Sequence, residues 1–279
     1  MTAGVPSNLV LRLATAAVGL PVIIGLLYWA PPGAFYGLVL LASLVGVREL
    51  LAMTHPGDRL AQAVGIAIAA VASLTVYFRS DDPRALLAVL VGVPLCGPIV
   101  TLVRLGNLET AALRACAMGF GPLFVAVPLT LLASMSRTFG YVGAGAVILA
   151  LGLAWFADTG AYFAGRFLGR HKLYEAVSPN KTVEGAIGGL VASVVWAALA
   201  SQWYLKGSLP LAHALPLSIA GGVLGQAGDL GESLLKRSTG VKDSGAIVPG
   251  HGGILDRVDA LIATSVVVFL YAQWAWAPS

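Results

Sequence analysis

Asp229, Glu232 and Ser233 stand at positions i, i+3 and i+4, and Asp256 and Asp259 are three apart, so each set falls on one face of a helix. Carboxylates offered in pairs are the usual protein share of a Mg²⁺ site, whose other positions go to phosphate oxygens and water. Lys236, Arg237, Lys242, His251 and Arg257 lie between or beside the pairs and bring enough positive charge to face a polyphosphate. Gly245, Gly250, Gly252 and Gly253 allow positive φ and close backbone approach, as a loop that cradles an anion requires. Each feature has a plain reading of its own: Asp256 could pair with Arg257 or cap a helix, and the glycines could form an ordinary turn. Together those plain readings leave nine ionisable groups gathered with no shared purpose.

Two upstream segments add to the set. "FADTGAYFAGR", from Phe156 to Arg166, puts Asp158 inside an apolar run, where a carboxylate persists only beside a partner or a polar cavity; the plain alternative is a helix-to-helix salt bridge. "SPNKTVEG", from Ser178 to Gly185, follows the basic residues Arg166, Arg170, His171 and Lys172. There Ser178 or Asn180 is a candidate helix cap, and Thr182 with Glu184 sets negative charge where a helix dipole favours it. Lys181 runs against the dipole unless an anion occupies the site, and helix N–H groups already suit phosphate.

The elements that hold these residues are apolar. The chain has 279 residues, 58% hydrophobic and 11% charged, with a mean hydropathy of +0.86, well outside the range of soluble domains. Apolar runs able to cross a bilayer, about 20 residues each, occur at about 9–30, 34–53, 60–78, 85–105, 112–134, 141–165, 183–205, 211–234 and 258–277. The expectation is therefore an all-α polytopic membrane protein of about nine transmembrane helices, its site at the cytoplasmic end of the C-terminal helices. The first run shows no clear cleavage site and reads as a retained span. With the N-terminus cytoplasmic, all of the 17 Lys and Arg except Arg79, Arg84, Arg137 and Lys206 fall on the inner side, a strong positive-inside bias. The natural division is an N-terminal scaffold, 1–140, of about five helices, and a catalytic region, 141–279, of about four helices with cytoplasmic loops 166–182 and 236–257. Gly185, Gly188, Gly221 and Gly225 suit close helix approach. Cys96 and Cys116 sit in apolar runs with no metal spacing, and the absence of GxxxxGK[ST], HExxH and GxSxG argues against a P-loop ATPase, a zinc protease and a serine hydrolase.

From Ser233, "SLLKRSTGVKDSGAIVPGHGGILDRVD" closely resembles the signature of the phosphatidate cytidylyltransferases, S-x-x-K-R-x4-K-D-x-G-x5-H-G-G-x-x-D-R-x-D, with every fixed position filled. "DTGAYFAGR", "SPNKTVEG" and "GQAGDLGES" resemble that family's other blocks, so the likeness covers roughly Ala154 to Asp259, while the first five spans share only hydropathy. Val248 stands where a larger aliphatic is more usual. The resemblance implies transfer of CMP from CTP to phosphatidic acid, giving CDP-diacylglycerol and pyrophosphate, with one or two Mg²⁺ ions, at the inner face of the cell (inner) membrane. It implies Asp229 and Asp256 as principal metal ligands, with Asp259 and Glu232 as weaker candidates. Lys181, Lys236, Arg237, Lys242 and Arg257 then serve phosphate charge, His251 a hydrogen bond or the leaving group, and Asp158 shapes the cavity. Ser178, Asn180, Thr182, Glu184, Ser233, Gly252 and Gly253 are expected around the substrates. A homodimer is an expectation carried by resemblance alone, and no nucleic-acid partner is expected.

Two rivals carry other chemistry. A CTP-dependent polyprenol or phytol kinase resembles this superfamily but moves the γ-phosphate to an alcohol; the full K-R, K-D, H-G-G, D-R-x-D series favours the cytidylyltransferase. An ion-coupled transporter would use Asp158 and Asp229 as intramembrane cation sites, yet the charges cluster at one face rather than at the midplane. A catalytically dead scaffold is disfavoured because every charged motif position is present.

Overall fold

Long apolar runs can satisfy their backbone groups in a bilayer only as helices, and the computed structural model follows that rule, describing residues 8–247 and 252–276, with side chains from Ala17 onward. The helices are α1 (Asn8–Tyr28), α2 (Pro32–Thr54), α3 (Arg59–Phe78), α4 (Pro83–Val103), α5 (Ala111–Gly121), α6 (Val127–Thr138), α7 (Gly143–Leu168), α8 (Val183–Gln202), α9 (Leu211–Ser238) and α10 (Leu255–Tyr271). A π-helical turn at Pro122–Ala126 joins α5 to α6, and Pro122 and Pro128, which cannot donate to the ladder, flank the widened turn. Seven helical stretches are long and apolar enough to span a membrane. With α1, and with α9, whose last turns carry Asp229, Glu232, Lys236 and Arg237, they account for the nine expected spans.

Local chemistry sets the boundaries. Asp58 accepts from the Ala61 amide at 3.1 Å to cap α3, and Asp82 accepts from the Arg84 amide at 3.0 Å to cap α4. Thr182 caps α8 by accepting from the Gly185 amide at 3.1 Å. The expected caps Ser178 and Asn180 lie instead in a strand. The stretch expected as a plain loop at 166–182 folds as a short antiparallel hairpin, β1 (Lys172–Tyr174) and β2 (Ser178–Thr182), pairing Lys172 with Thr182 and Tyr174 with Ser178. Glu184 fastens it to α8, accepting from the Arg170 and His171 amides at 3.0 and 3.2 Å, with the His171 ring at 2.6 Å.

The larger of two buried clusters takes in residues from Phe35 on α2 to Trp276, and a smaller one joins Ala72 and Val76 of α3 to Val89 and Val93 of α4. Polar links add to the packing in the first half, where Tyr36 Oη is 3.1 Å from Ser73 Oγ, itself 2.7 Å from Thr130 Oγ1. The second half relies on small residues. A Cβ on Gly188 would lie 2.2 Å from Ala164 Cβ, one on Gly160 would lie 2.5 Å from Ala192 Cβ, and one on Gly189 would lie 2.8 Å from the Ala157 carbonyl. α7 and α8 are therefore in backbone contact, the arrangement small residues permit between membrane helices. Gly185, Gly221 and Gly225 serve the same end, against Ala161, Leu153 and Thr264.

The helix ends sort into two sets. Asp58 with Arg104, Arg237 with Val177, and Glu49 with Leu255 join ends on one side; Arg137 with Tyr77 and Ser201 with Leu209 join ends on the other. The hairpin, the end of α9 and the start of α10 thus share one face of the bundle. Gly188→Val is expected to destabilise the protein by roughly 1–3 kcal/mol through overpacking. Gly92→Ala on α4, where a Cβ meets nothing within 4 Å, should change stability by at most about 1 kcal/mol, in the stabilising direction. Thermal unfolding in detergent measures both.

Candidate active site

Two groups of opposite charges form where α7, α8, α9 and α10 end. α9 contributes to both, because Asp229, Glu232 and Lys236 follow one another at helical spacing along a single face. The first group surrounds a cavity of about 550 Å³ lined by Asp158 and Tyr162 of α7, by Ser178, Asn180 and Lys181 of β2, and by Asp229 of α9, together with Arg166, Thr182 and Gln226. Lys181 Nζ is 2.6 Å from Asp229 Oδ2. The anion that Lys181 requires is thus a protein carboxylate here. Asp158 faces this cavity, and no cation among the described residues lies at ion-pair distance from it. Asp259 sits where α10 packs against α9 beside Asp229, since a Cβ on Gly228 would lie 3.0 Å from the Asp259 carbonyl.

The second group is buried. Lys236 Nζ sits 2.6 Å from Glu232 Oε2 and 2.6 Å from Asp256 Oδ1, with the Glu232 side chain wholly removed from solvent. The other oxygen of Asp256 accepts from the Ser244 and Gly253 amides at 3.0 and 2.8 Å and lies 3.0 Å from the Ser244 hydroxyl. Gly252 has φ of +80°, a conformation that favours glycine, and a Cβ there would stand 2.6 Å from Asp256 Oδ2. The glycine-bearing turn does hold anions, and those in place are side chains of this chain: Asp256 and Glu49.

Glu49, in α2, is the residue that sequence reasoning missed. It is 3% exposed and accepts from the Ile254 and Leu255 amides at 3.1 and 2.8 Å and from Ser244 Oγ at 3.0 Å. A Cβ on Gly245 or Gly253 would come within 2.5 or 2.4 Å of its carboxylate oxygens. Its signal was an acidic residue inside a span whose one other charge is the neighbouring Arg48, a functional pointer by default.

The four carboxylates expected around a metal are therefore divided. Asp229 borders the cavity with Asp259 nearby, whereas Glu232 and Asp256 are held by Lys236. Among the described residues no three His, Cys, Asp or Glu converge as a metal cage. That donor set still fits Mg²⁺, which takes one or two carboxylates and leaves the rest to phosphate and water. Of the other expected residues, Glu184 is spent on the hairpin and Ser233 is half-buried on α9 away from the cavity lining. Lys242 and Arg257 are exposed. Arg237 donates to the Val177 and Val241 carbonyls, both at 3.3 Å, tying α9 to the hairpin turn. His251 lies outside the described residues. A separate cavity of about 660 Å³ lies between His55, Asp58, Arg104, Arg114 and Thr239; burial, then the Arg114 charge, pushes the His55 imidazole below its ordinary value.

The fold and the site define a polytopic helical membrane protein with a cavity of acidic and basic side chains at one end of its bundle. The chain belongs to the cytidylyltransferase family, which it matches over residues 10–275. It is similar to the phosphatidate cytidylyltransferases of Staphylococcus saprophyticus and Staphylococcus haemolyticus, each 47% identical over 116 residues. The phosphatidate cytidylyltransferase of Staphylococcus aureus is 46% identical over the same length. These matches span 42% of this chain and 44% of each relative.

Removing Lys236 leaves two carboxylates facing each other without a counter-ion. Lys236→Met is expected to cost about 3–5 kcal/mol of stability, as breaking one side of a buried pair does. Adding Glu232→Gln should restore part of it, and thermal unfolding of both variants at neutral pH checks the sign.

Proposed function

We propose that this protein transfers CMP from CTP to phosphatidic acid, releasing pyrophosphate and leaving CDP-diacylglycerol in the membrane. The observation that carries this reading is the cavity itself: Asp158, Ser178, Asn180, Lys181, Thr182 and Asp229, drawn from three separate segments, line one space at the polar end of apolar helices. A cavity at the charged ends of apolar helices suits a reaction between water-borne CTP and a lipid phosphate. The family and the names of the Staphylococcus relatives support the same chemistry.

The reaction asks little covalent chemistry of the protein. An oxygen of the phosphatidate phosphomonoester forms a bond to the α-phosphorus of CTP. The bond from that phosphorus to the bridging oxygen of the β-phosphate breaks, and pyrophosphate leaves with the electron pair. The nucleophile is already ionised, so alignment and charge neutralisation supply the catalysis. In this reading Lys181, which lines the cavity, and the exposed Arg257 and Lys242 serve the charge of the triphosphate. Lys236 and Arg237 hold α9 against Asp256 and the hairpin, which sets the cavity wall. Asp229, with Asp259 beside it, would hold a Mg²⁺ ion, whose chemistry here is to neutralise charge on the phosphate oxygens. Asp256 joins that set only by giving up Lys236.

The proposed setting is the cell (inner) membrane with the N-terminus and the site on the cytoplasmic face, supported by the skewed Lys and Arg distribution and by the gathering of charged helix ends on one side. A homodimer belongs to this reading through family resemblance alone.

Purified protein in detergent, given phosphatidic acid, Mg²⁺ and CTP labelled at the α-phosphate, is expected to move label into lipid and release pyrophosphate. Asp229→Asn should lower kcat by about 100-fold, the order seen when a transition-state charge contact is lost, with folding unchanged by thermal unfolding. Near-native turnover in that variant refutes the assignment of Asp229. Label from the γ-phosphate appearing on an alcohol acceptor, with CDP formed, identifies a lipid kinase instead.

A further inference from the structure

We propose that Glu49 of α2, 195 residues away in sequence from Ser244, is a positioning residue for CMP transfer that sets Asp256 through the start of α10. The inference rests on the cytidylyl-transfer reading of the site. A helix begins with backbone N–H groups that lack intrahelical partners, and α10 has no side-chain cap of its own at Ile254. Glu49 supplies what is missing: Oε1 accepts from Ile254 and Oε2 from Leu255. The next residue in the chain is Asp256, whose carboxylate takes the Gly253 and Ser244 amides on one oxygen and Lys236 on the other. Ser244 Oγ lies 3.0 Å from both Glu49 Oε2 and Asp256 Oδ2, so the two carboxylates hold one turn from opposite sides.

The glycines make this placement possible. Side chains at 245 and 253 would occupy the volume of the Glu49 carboxylate, so two glycines of the motif serve a residue that lies far outside it. A carboxylate has acceptor capacity on both oxygens, whereas an amide turns one of them into a donor facing an N–H group. Glu49→Gln is therefore nearly isosteric but cannot satisfy both backbone amides and the Ser244 hydroxyl.

The test compares native protein, Glu49→Gln, Asp256→Asn and the double variant in detergent. Hydrogen–deuterium exchange across 252–256 is expected to quicken in Glu49→Gln, by about 10-fold or more, as a local opening is made easier. Its kcat should fall by about 10-fold or more while KM for CTP stays within about twofold, the signature of lost alignment rather than lost ground-state binding. The double variant should turn over no more slowly than Asp256→Asn alone, since residues acting as one unit are not additive. Unchanged exchange, a kcat within about twofold of native, or additive losses would each overturn the proposal. If Glu49→Gln does not fold, Ser244→Ala, which cuts only the hydroxyl link, carries the same kcat expectation and the same refutation. Should the native protein transfer no CMP at all, the function fails, and the exchange data alone decide whether the Glu49 clamp exists.

Discussion

The ammonium of Lys236, held between Glu232 and Asp256, is the interaction on which the rest of the site depends. Both carboxylates are buried, and a bilayer offers no water to stabilise either one alone. With Lys236 absent, α9 and α10 would bring like charges together at their point of contact. With it present, the same charges join the two helices. Asp256 then takes the turn amides, Glu49 takes the α10 N-terminus, and the register of α10 against α9 follows. Asp259, one helical turn along from Asp256, is thereby directed toward the α9 face that carries Asp229.

The close packing of α7 against α8 follows from a second constraint of the same solvent. Lipid tails give helices no hydrophobic reason to associate, so intimate van der Waals contact must supply it. Gly160, Gly188 and Gly189 let the backbones touch, which fixes α7, whose Asp158 and Tyr162 line the cavity, against α8. The hairpin adds rigidity where a plain loop would not. Glu184 binds it on one side and Arg237 on the other, so Lys181 approaches Asp229 from a braced strand.

The spans were legible in the sequence because length and hydropathy alone decide what can cross a bilayer, and all nine expected stretches appear as helices with ends moved by a few residues. The cavity residues were legible because ionisable groups are rare in such a chain and each one asks for a reason. What the sequence could not disclose was pairing. Nothing in the spacing of Asp229, Glu232, Asp256 and Asp259 says that Lys236 claims two of them, since that depends on how α10 rotates against α9. Glu49 was overlooked for a related cause: its partners are backbone amides, which leave no mark in sequence, and its counterpart glycines had a ready explanation in the motif. Ser178 and Asn180 suited a helix cap by residue type, but the hairpin took them, leaving Thr182 next to the helix start.

The two charge groups differ in how readily they can change, and that difference assigns them different work. Lys181 and Asp229 retain 28% and 24% side-chain exposure, so water screens the pair and its net contribution is small. In the proposed reaction an incoming phosphate would replace Asp229 as the partner of Lys181 and free that carboxylate. The Lys236 group retains only 11% for the lysine and none for Glu232, and its rupture would strand a charge in the protein interior. An exchangeable pair facing the cavity and a fixed pair behind it form an arrangement in which substrate can reorganise the first without loosening the second. Under the proposed reaction, that separation would let the site keep its alignment while the exposed pair exchanges partners.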